Sequence, residues 1–387
     1  MVYKRPFELF VISEINNMTI RIKVNRIAFV LLVVTFLFSG VLAYGEEAAR
    51  PKNVILFIGD GMGISQITAG KIVKGNLNLE EFKVIGLLTT HSLKTLGTDS
   101  AAAATALATG YKVYNGAISV SQDNEPLKTI VEYAKEKQKA TGLVVSSSVT
   151  DATPAAFVAH VDSRRKETII AEQITGSGID VLFSGGLAYF LPQSTRGSKR
   201  NDEMNLIAEL EKHMKVIRTA EEFQKLGDVD RVAGFFALRD MPRANERQPR
   251  LTEMTKKAID ILSKNQKGFF LMVEGSQIDW AAHKNIQDYL ISEVIDFDDA
   301  VGIGLNFARK DGQTLVIVTS DHETGGFAIH DGSMKEKKIT DSRFTGNRHT
   351  ATMVPVFAYG PGCSVFAVIG DNTIVGKKII EYLRESE

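Results

Sequence analysis

Six short apolar runs, each followed by polar and glycine residues, restrict the folds open to this chain more than any other feature of its sequence. They are "NVILFIG", "TGLVVSSS", "IDVLFSG", "GFFLMVEG", "TLVIVTS" and "VPVFAYG". Unbroken runs rich in β-branched and aromatic residues predict strands buried on both faces. Helical patterns such as "TIVEYAKEKQ", "NLIAELEKHM" and "RLTEMTKKAIDILSKN" lie between them. This alternation predicts an α/β fold with a large central, mostly parallel sheet covered by helices on both faces.

Acidic and imidazole side chains follow four of these runs. Because the carboxyl ends of parallel strands share one edge of a sheet, we expect these side chains to converge there. A single aspartate after a strand is usually a turn former or a cap. Several buried carboxylates together must instead be protonated, paired with cations or bound to metal, and a mixture of Asp, Glu and His suits zinc and magnesium. The residues concerned are Asp60, Asp151, Thr153, Glu274, Asp279, His283, Asp321 and His322.

Sequence spacing makes two of these groups more specific. Asp279 and His283 are four residues apart, which places both on one face of a helical turn and makes them a plausible pair of ligands for one ion. Asp321 and His322 are adjacent and would point apart in an extended strand, so a bend is expected after "VIVTS". Gly325 and Gly326 would permit it.

Ser100 precedes a run of alanine and threonine that ends at Gly110, so it is expected to open a helix. The amino end of a helix presents free N–H groups and partial positive charge, and a hydroxyl there lies beside a natural anion site. The alternative is that Ser100 or Asp99 only caps the helix.

The 387 residues carry 46 basic and 46 acidic side chains, so net charge gives no case for nucleic acid as a partner. Residues 1–45 combine Arg21, Lys23 and Arg26 with "IAFVLLVVTFLF" and small residues, which predicts a secretory signal and export, with Met18 as a candidate true start. The alternative is an uncleaved membrane anchor. Cys363 is the only cysteine, so no intrachain disulfide can form.

Six motifs taken together resemble the alkaline phosphatase family: "GDGMG", "TDSAAAATA", "DATPAAFVAHVDSR", "VEGSQIDWAAH", "SDHETGG" and "RHTATMVPVFAYGPG". The resemblance extends from about residue 53 to 362 and implies an alkaline-phosphatase-like single catalytic domain over 46–387. Residues 191–249 would be a surface elaboration of it. By the resemblance, Ser100 is the nucleophile and Arg164 clamps the phosphate. The resemblance also implies three metal sites. The first zinc would be held by Asp279, His283 and His349, and the second by Asp60, Asp321 and His322. A magnesium-type ion would be held by Asp60, Thr153 and Glu274, with Asp151 in or beside that third site.

The implied reaction is hydrolysis of small-molecule phosphate monoesters through a phosphoserine, in the periplasm or outside the cell. Family members are often dimers, so a homodimer is expected, although no segment identifies the contact. The membrane would be a partner only if the signal stays uncleaved. Trp280 departs from relatives that carry Lys or His at this place, and it either packs at the rim or alters third-metal preference and phosphate retention.

Two other classes of function stay open at this point. Phosphodiesterases, sulfatases and phosphate mutases of the same superfamily also place a nucleophile and two metals at the strand ends. The serine in "TDSA" favours a monoesterase over the threonine or cysteine of many such relatives. A non-catalytic exported binder of phosphate or metal could use the same ligands, but it would not need Ser100.

Overall fold

The computed structural model describes residues 50–385. The predicted signal at 1–45 and the candidate start at Met18 lie outside these residues. Within 50–385, no helix combines the length and the apolarity needed to cross a membrane.

All six apolar runs form strands, as predicted. In chain order the strands are β1 Asn53–Gly59, β2 Val84–Thr89, β3 Ala140–Ser148, β4 Val181–Gly185, β5 Lys215–Ile217, β6 Val232–Phe235, β7 Phe269–Gly275, β8 Thr314–Thr319, β9 Glu323–Thr324, β10 Phe327–Ser333, β11 Lys338–Phe344, β12 His349–Thr350, β13 Val354–Tyr359 and β14 Ile369–Asp371. The helices are α1 Ile64–Lys74, α2 Ser100–Thr109, α3 Ile130–Glu136, α4 Ala152–Ala155, α5 Glu167–Gly176, α6 Leu206–Glu211, α7 Ala220–Gln224, α8 Leu251–Leu262, α9 Gln277–His283, α10 Gln287–Asp311 and α11 Thr373–Glu385.

Across residues 50–385, ten strands form one sheet in the order β14-β2-β13-β8-β1-β7-β3-β4-β6-β5. Strand β13 runs antiparallel to both of its neighbours, and the other pairs are parallel. The prediction of a large, mostly parallel sheet is therefore confirmed. Two short ribbons complete the strands: β10 pairs with β11, and β9 pairs with β12.

Helices cover both faces of this sheet because alternate residues of its central strands point in opposite directions. On β1, Leu56 belongs to a buried apolar cluster that contains Leu107 of α2. Its neighbour Phe57 belongs to a second cluster that contains Leu305 of α10. Burial on both faces explains why β1, β3, β7 and β8 read as unbroken apolar runs in the sequence.

Residues 191–249 supply β5 and β6, which form one end of the large sheet, together with α6 and α7. The two strands are only three and four residues long. Their parallel pairing with each other and with β4 continues the main sheet. This segment is therefore joined to the rest of the sheet by backbone hydrogen bonds between β6 and β4.

Candidate active site

The amino end of α2 presents Ser100 at the base of a group of acidic and imidazole side chains. Asp99 caps the helix, since its carboxylate accepts a hydrogen bond from the backbone N–H of Ala102 at 3.0 Å. Ser100 is the first helical residue and is 4% exposed. Its Oγ lies 3.4 Å from Nε2 of His322. Because Asp99 does the capping, the Ser100 hydroxyl is left to face the site.

A first cluster of possible metal ligands joins Asp279 and His283 of α9 to His349 of β12. The four-residue spacing does place Asp279 and His283 together, with the Asp279 Oδ2 and His283 Nε2 atoms 3.2 Å apart. The Nε2 atom of His349 lies 3.6 Å from the other carboxylate oxygen of Asp279 and 3.0 Å from Nε2 of His283.

The two imidazoles of this cluster are arranged as metal ligands would be. Nδ1 of His283 lies 2.7 Å from the backbone carbonyl of Asn347, and Nδ1 of His349 lies 2.8 Å from that of Thr98. A carbonyl oxygen can only accept, so each Nδ1 carries the hydrogen. In the neutral rings both Nε2 lone pairs then face each other across 3.0 Å. A cation bound by both nitrogen atoms would remove that repulsion.

A second cluster contains Asp60, Asp321 and His322, all of which are buried. Asp60 follows β1, and the other two lie in the bend between β8 and β9. Oδ1 of Asp321 accepts backbone N–H groups from Gly61 at 3.1 Å and His322 at 2.9 Å. Oδ2 of Asp321 and Oδ1 of Asp60 are buried and accept no hydrogen bond from any residue in 50–385. Such buried oxygen atoms suit a divalent cation.

The electrostatics of this cluster are those of a site with too many carboxylates. Burial, followed by the charge of Asp321, raises the pKa of Asp60 well above its usual range. Burial also opposes ionisation of Asp321, but the adjacent His322 outweighs it and lowers the Asp321 pKa to about 2. The pKa of His322 rises in turn because Asp321 outweighs the effect of burial. The negative charge of the two buried carboxylates is therefore not fully balanced by His322, and a bound cation would neutralise it.

Residues of the expected third site lie at the ends of β3 and β7. Glu274 is 1% exposed, and its Oε2 has no hydrogen-bond partner among the residues that the structure describes. Burial, and then the charge of Asp151, raises the pKa of Glu274 well above its usual range, while the nearby hydroxyls of Ser276 and Thr153 oppose the rise. Thr153 and Asp151 therefore lie near enough to Glu274 to act on its pKa.

Arg164 reaches the site from the loop before α5. Its Nη2 donates to Asp151 at 2.8 Å, and its Nη1 lies 3.6 Å from Asp99. Burial acts to lower the pKa of Arg164, but Asp151 and Asp99 outweigh it and raise that pKa. Two carboxylates therefore hold the guanidinium in place beside the amino end of α2.

Four features near the two clusters were not identified from the sequence as functional. They are the Thr98 and Asn347 carbonyls, the Asp99 carboxylate and the Thr324 hydroxyl. Backbone carbonyls leave no trace in residue identity. Thr324 lies inside the motif "SDHETGG", which was the only sequence signal available for it. Trp280 is half-buried on α9, directly after Asp279.

Comparisons with known proteins agree with this arrangement. Residues 51–342 match the sequence model of alkaline phosphatase. Alkaline phosphatase 4 of Bacillus subtilis is 36% identical over 88% of this chain and 90% of its own length. The alkaline phosphatase of Escherichia coli is 33% identical over 83% of this chain and 84% of its own length.

A solved structure gives the same result for the fold. The alkaline phosphatase of the Antarctic bacterium TAB5 superposes with a TM-score of 0.80, at 42% identity, over 87% of this chain and 99% of the other. A variant of that enzyme, solved with Mg bound in its M3 site, gives a TM-score of 0.81 at the same identity and coverage. The chain belongs to the alkaline phosphatase family of metal-dependent phosphoric monoester hydrolases and is an enzyme of that class.

Proposed function

We propose that this enzyme hydrolyses phosphate monoesters through a covalent phosphoserine at Ser100, with two zinc ions and a third, magnesium-type ion. The observation that carries the proposal is the position of the Ser100 hydroxyl. It lies at the amino end of α2, 3.4 Å from the imidazole of the second cluster. The ring of His322 in turn stacks on that of His349 in the first cluster, with 3.5 Å between centroids.

Both clusters fit zinc, which binds carboxylate oxygen and imidazole nitrogen in sites of about four ligands. Asp279, His283 and His349 would hold one ion, and Asp60, Asp321 and His322 the other. The third set, Asp60, Thr153 and Glu274 with Asp151 beside it, contains oxygen ligands only and fits magnesium or another hard divalent ion. When bound, these ions would supply fixed positive charge against the phosphate dianion and its transition state.

In the first step, Ser100 Oγ gives up its proton and forms a bond to phosphorus while the ester P–O bond breaks. The departing alkoxide takes up a proton and leaves as the alcohol. In the second step, a water oxygen bonds to phosphorus, the Ser100 Oγ–P bond breaks and Oγ regains a proton, so inorganic phosphate is released. Dividing one difficult displacement into two is the advantage of the covalent route.

Arg164 and the start of α2 would hold the phosphoryl group during both steps. The Arg164 fork offers two parallel N–H donors, the geometry that matches two oxygens of a phosphate. Its contacts with Asp151 and Asp99 fix the fork before substrate arrives. The free N–H groups at the start of α2 add partial positive charge at the same place.

The setting of the enzyme is also part of the proposal. The basic and apolar segment at 1–45 supports export to the periplasm or the exterior, with anchoring only if that segment stays attached. Substrates are proposed to be small-molecule phosphate monoesters, without nucleic acid as a specific partner. The expected assembly is a homodimer.

The test is turnover of p-nitrophenyl phosphate at alkaline pH by metal-stripped protein resupplied with zinc and magnesium. We expect zinc-dependent turnover that Ser100→Ala abolishes, and acid-quenched wild-type enzyme that carries one phosphoryl group on Ser100. Ser121→Ala is the matched control, because Ser121 is partly exposed just before an exposed turn, where its hydroxyl accepts two backbone hydrogen bonds. Zinc binding without turnover would favour the non-catalytic binder, and faster turnover of a bis-ester would favour a diesterase.

A further inference from the structure

Thr324 lies between the two clusters and contacts a residue of each. It is fully buried in β9. Its Oγ1 donates a hydrogen bond to Oδ1 of Asp279 at 2.5 Å, in the first cluster. The same oxygen lies 3.2 Å from Nδ1 of His322, in the second cluster.

The hydrogen count of the Thr324 hydroxyl fixes the direction of both contacts. A hydroxyl has one hydrogen, and an ionised carboxylate can only accept, so that hydrogen goes to Asp279. Nδ1 of His322 must then donate to the Thr324 oxygen. This leaves Nε2 of His322 on the side of Ser100 and Asp60, 3.4 Å from the Ser100 Oγ and 3.5 Å from Oδ1 of Asp60.

The backbone of Thr324 is held by both sides of the site as well. Its N–H donates at 3.1 Å to the carbonyl of Gly61, the residue that directly follows Asp60. Its carbonyl accepts from Nε2 of Gln66 at 3.0 Å. In the β9–β12 ribbon, Thr324 is the cross-strand partner of His349. The hydroxyl therefore has little freedom to leave its two partners.

We infer that the Thr324 hydroxyl is a positioning residue that couples the two clusters, so that a cation bound at one prepares the other. It sets which nitrogen of His322 is available, and it orients the Asp279 carboxylate between His283 and His349. A cation at the first cluster fixes Asp279, and through Thr324 it also fixes His322. The inference rests on the proposal that both clusters bind metal.

The test measures zinc binding to the whole metal-stripped protein by calorimetry, with chelator competition for the tighter site. Thr324→Val keeps the shape of the side chain and removes its hydroxyl. We expect each zinc affinity to fall about 10- to 100-fold, as for other residues that orient metal ligands. We also expect the dependence of one binding event on the other to be lost. Thr324→Ser, which keeps the hydroxyl, should restore both.

Thr350→Val is the matched control. Thr350 is on the same two-stranded ribbon, and its hydroxyl donates to Glu323 instead of a cluster residue. The inference would be overturned if Thr324→Val bound both zinc ions with wild-type affinities and with the same dependence of one binding event on the other. An equal loss of zinc affinity in Thr350→Val would also overturn it. If Thr324→Val does not fold, a failure of Thr324→Ser to bind both ions as the wild type does would also count against it. Absence of zinc binding by the wild-type protein would instead reject the proposed metal sites.

Discussion

The rings of His322 and His349 stack with 3.5 Å between their centroids and 20° between their planes. The two rings belong to different clusters, so the stack is a direct contact between the two clusters. Burial, and then the charge of His322, lowers the pKa of His349. Protonation of one ring therefore disfavours protonation of the other. Protonation of the two rings thus cannot balance the carboxylate charge of both clusters as well as two bound cations would.

We expect Asp60→Asn to stabilise the metal-free protein while weakening its stabilisation by zinc. Removing one carboxylate from a buried cluster relieves repulsion from Asp321 and should raise the free energy of unfolding of the metal-free protein by about 1–3 kcal/mol. The same change removes a proposed ligand, so the increase in stability on adding zinc should be smaller than in the wild type. Urea unfolding with and without saturating zinc measures both effects.

Asp341→Asn is the control for that comparison, because Asp341 is a half-buried carboxylate on β11, outside both clusters. It should change neither quantity appreciably. Lower stability of metal-free Asp60→Asn, or an undiminished response to zinc, would contradict the prediction.

We expect Arg164→Lys to lower kcat/KM almost as much as Arg164→Ala does. A lysine ammonium keeps the charge but cannot present two parallel donors to a phosphate. Loss of a bidentate, charge-assisted contact of about 1.5–3 kcal/mol predicts a fall in kcat/KM of about 10- to 150-fold, with weaker inhibition by inorganic phosphate. Steady-state kinetics with phosphate as inhibitor test this. Arg165→Ala, one residue further on, is the control, and full activity in Arg164→Lys would show that charge alone is needed.

The strand pattern could be predicted from the sequence because β1, β3, β7 and β8 are buried on both faces and therefore read as apolar runs. The short strands β5 and β6 could not, since three or four residues carry too little periodicity. The direction of β13 was also not predictable, because its composition is the same in either orientation.

The residues of the site were named from motifs, but their partners depend on tertiary structure. His349 was assigned only through the resemblance, since nothing in its local sequence marks it as a neighbour of Asp279. The roles of the Thr98 and Asn347 carbonyls come from chain position and not from side-chain chemistry. Thr324 could be recognised only when one oxygen was seen to contact both clusters.

We expect Trp280→Lys to tighten inhibition by phosphate and to change the dependence of activity on the third metal. Trp280 directly follows Asp279 on α9, and an indole offers one donor and no charge. A lysine would add a positive charge on α9, one residue after the proposed metal ligand Asp279. Phosphate inhibition constants and magnesium titrations measure the two effects. Trp280→Phe is the uncharged control, and unaltered values in Trp280→Lys would reject the interpretation.

His160 offers a test of stability away from the clusters. Its Nδ1 donates to the carbonyl of Ser119 at 2.8 Å, and its Nε2 lies 3.2 Å from the carboxylate of Glu132. Burial acts to lower the pKa of His160, but the hydrogen bond with Glu132 outweighs it and the pKa is raised from 6.5. The protonated ring can donate to both partners at once, whereas the neutral ring satisfies only one of them.

The raised pKa means that folded His160 holds its proton more tightly than unfolded His160 does. Its contribution to stability is therefore fully present below pH 6.5 and is lost as pH rises through the folded pKa. We expect His160→Gln to be less stable than the wild type at pH 5.5, by less than about 1 kcal/mol because the pair is partly exposed, and the difference to shrink by pH 8.5. Urea unfolding across this range measures it, and the control is His213→Gln, at an exposed residue in the turn after α6. A difference that grows with pH would contradict the assignment, because it would require a lowered pKa.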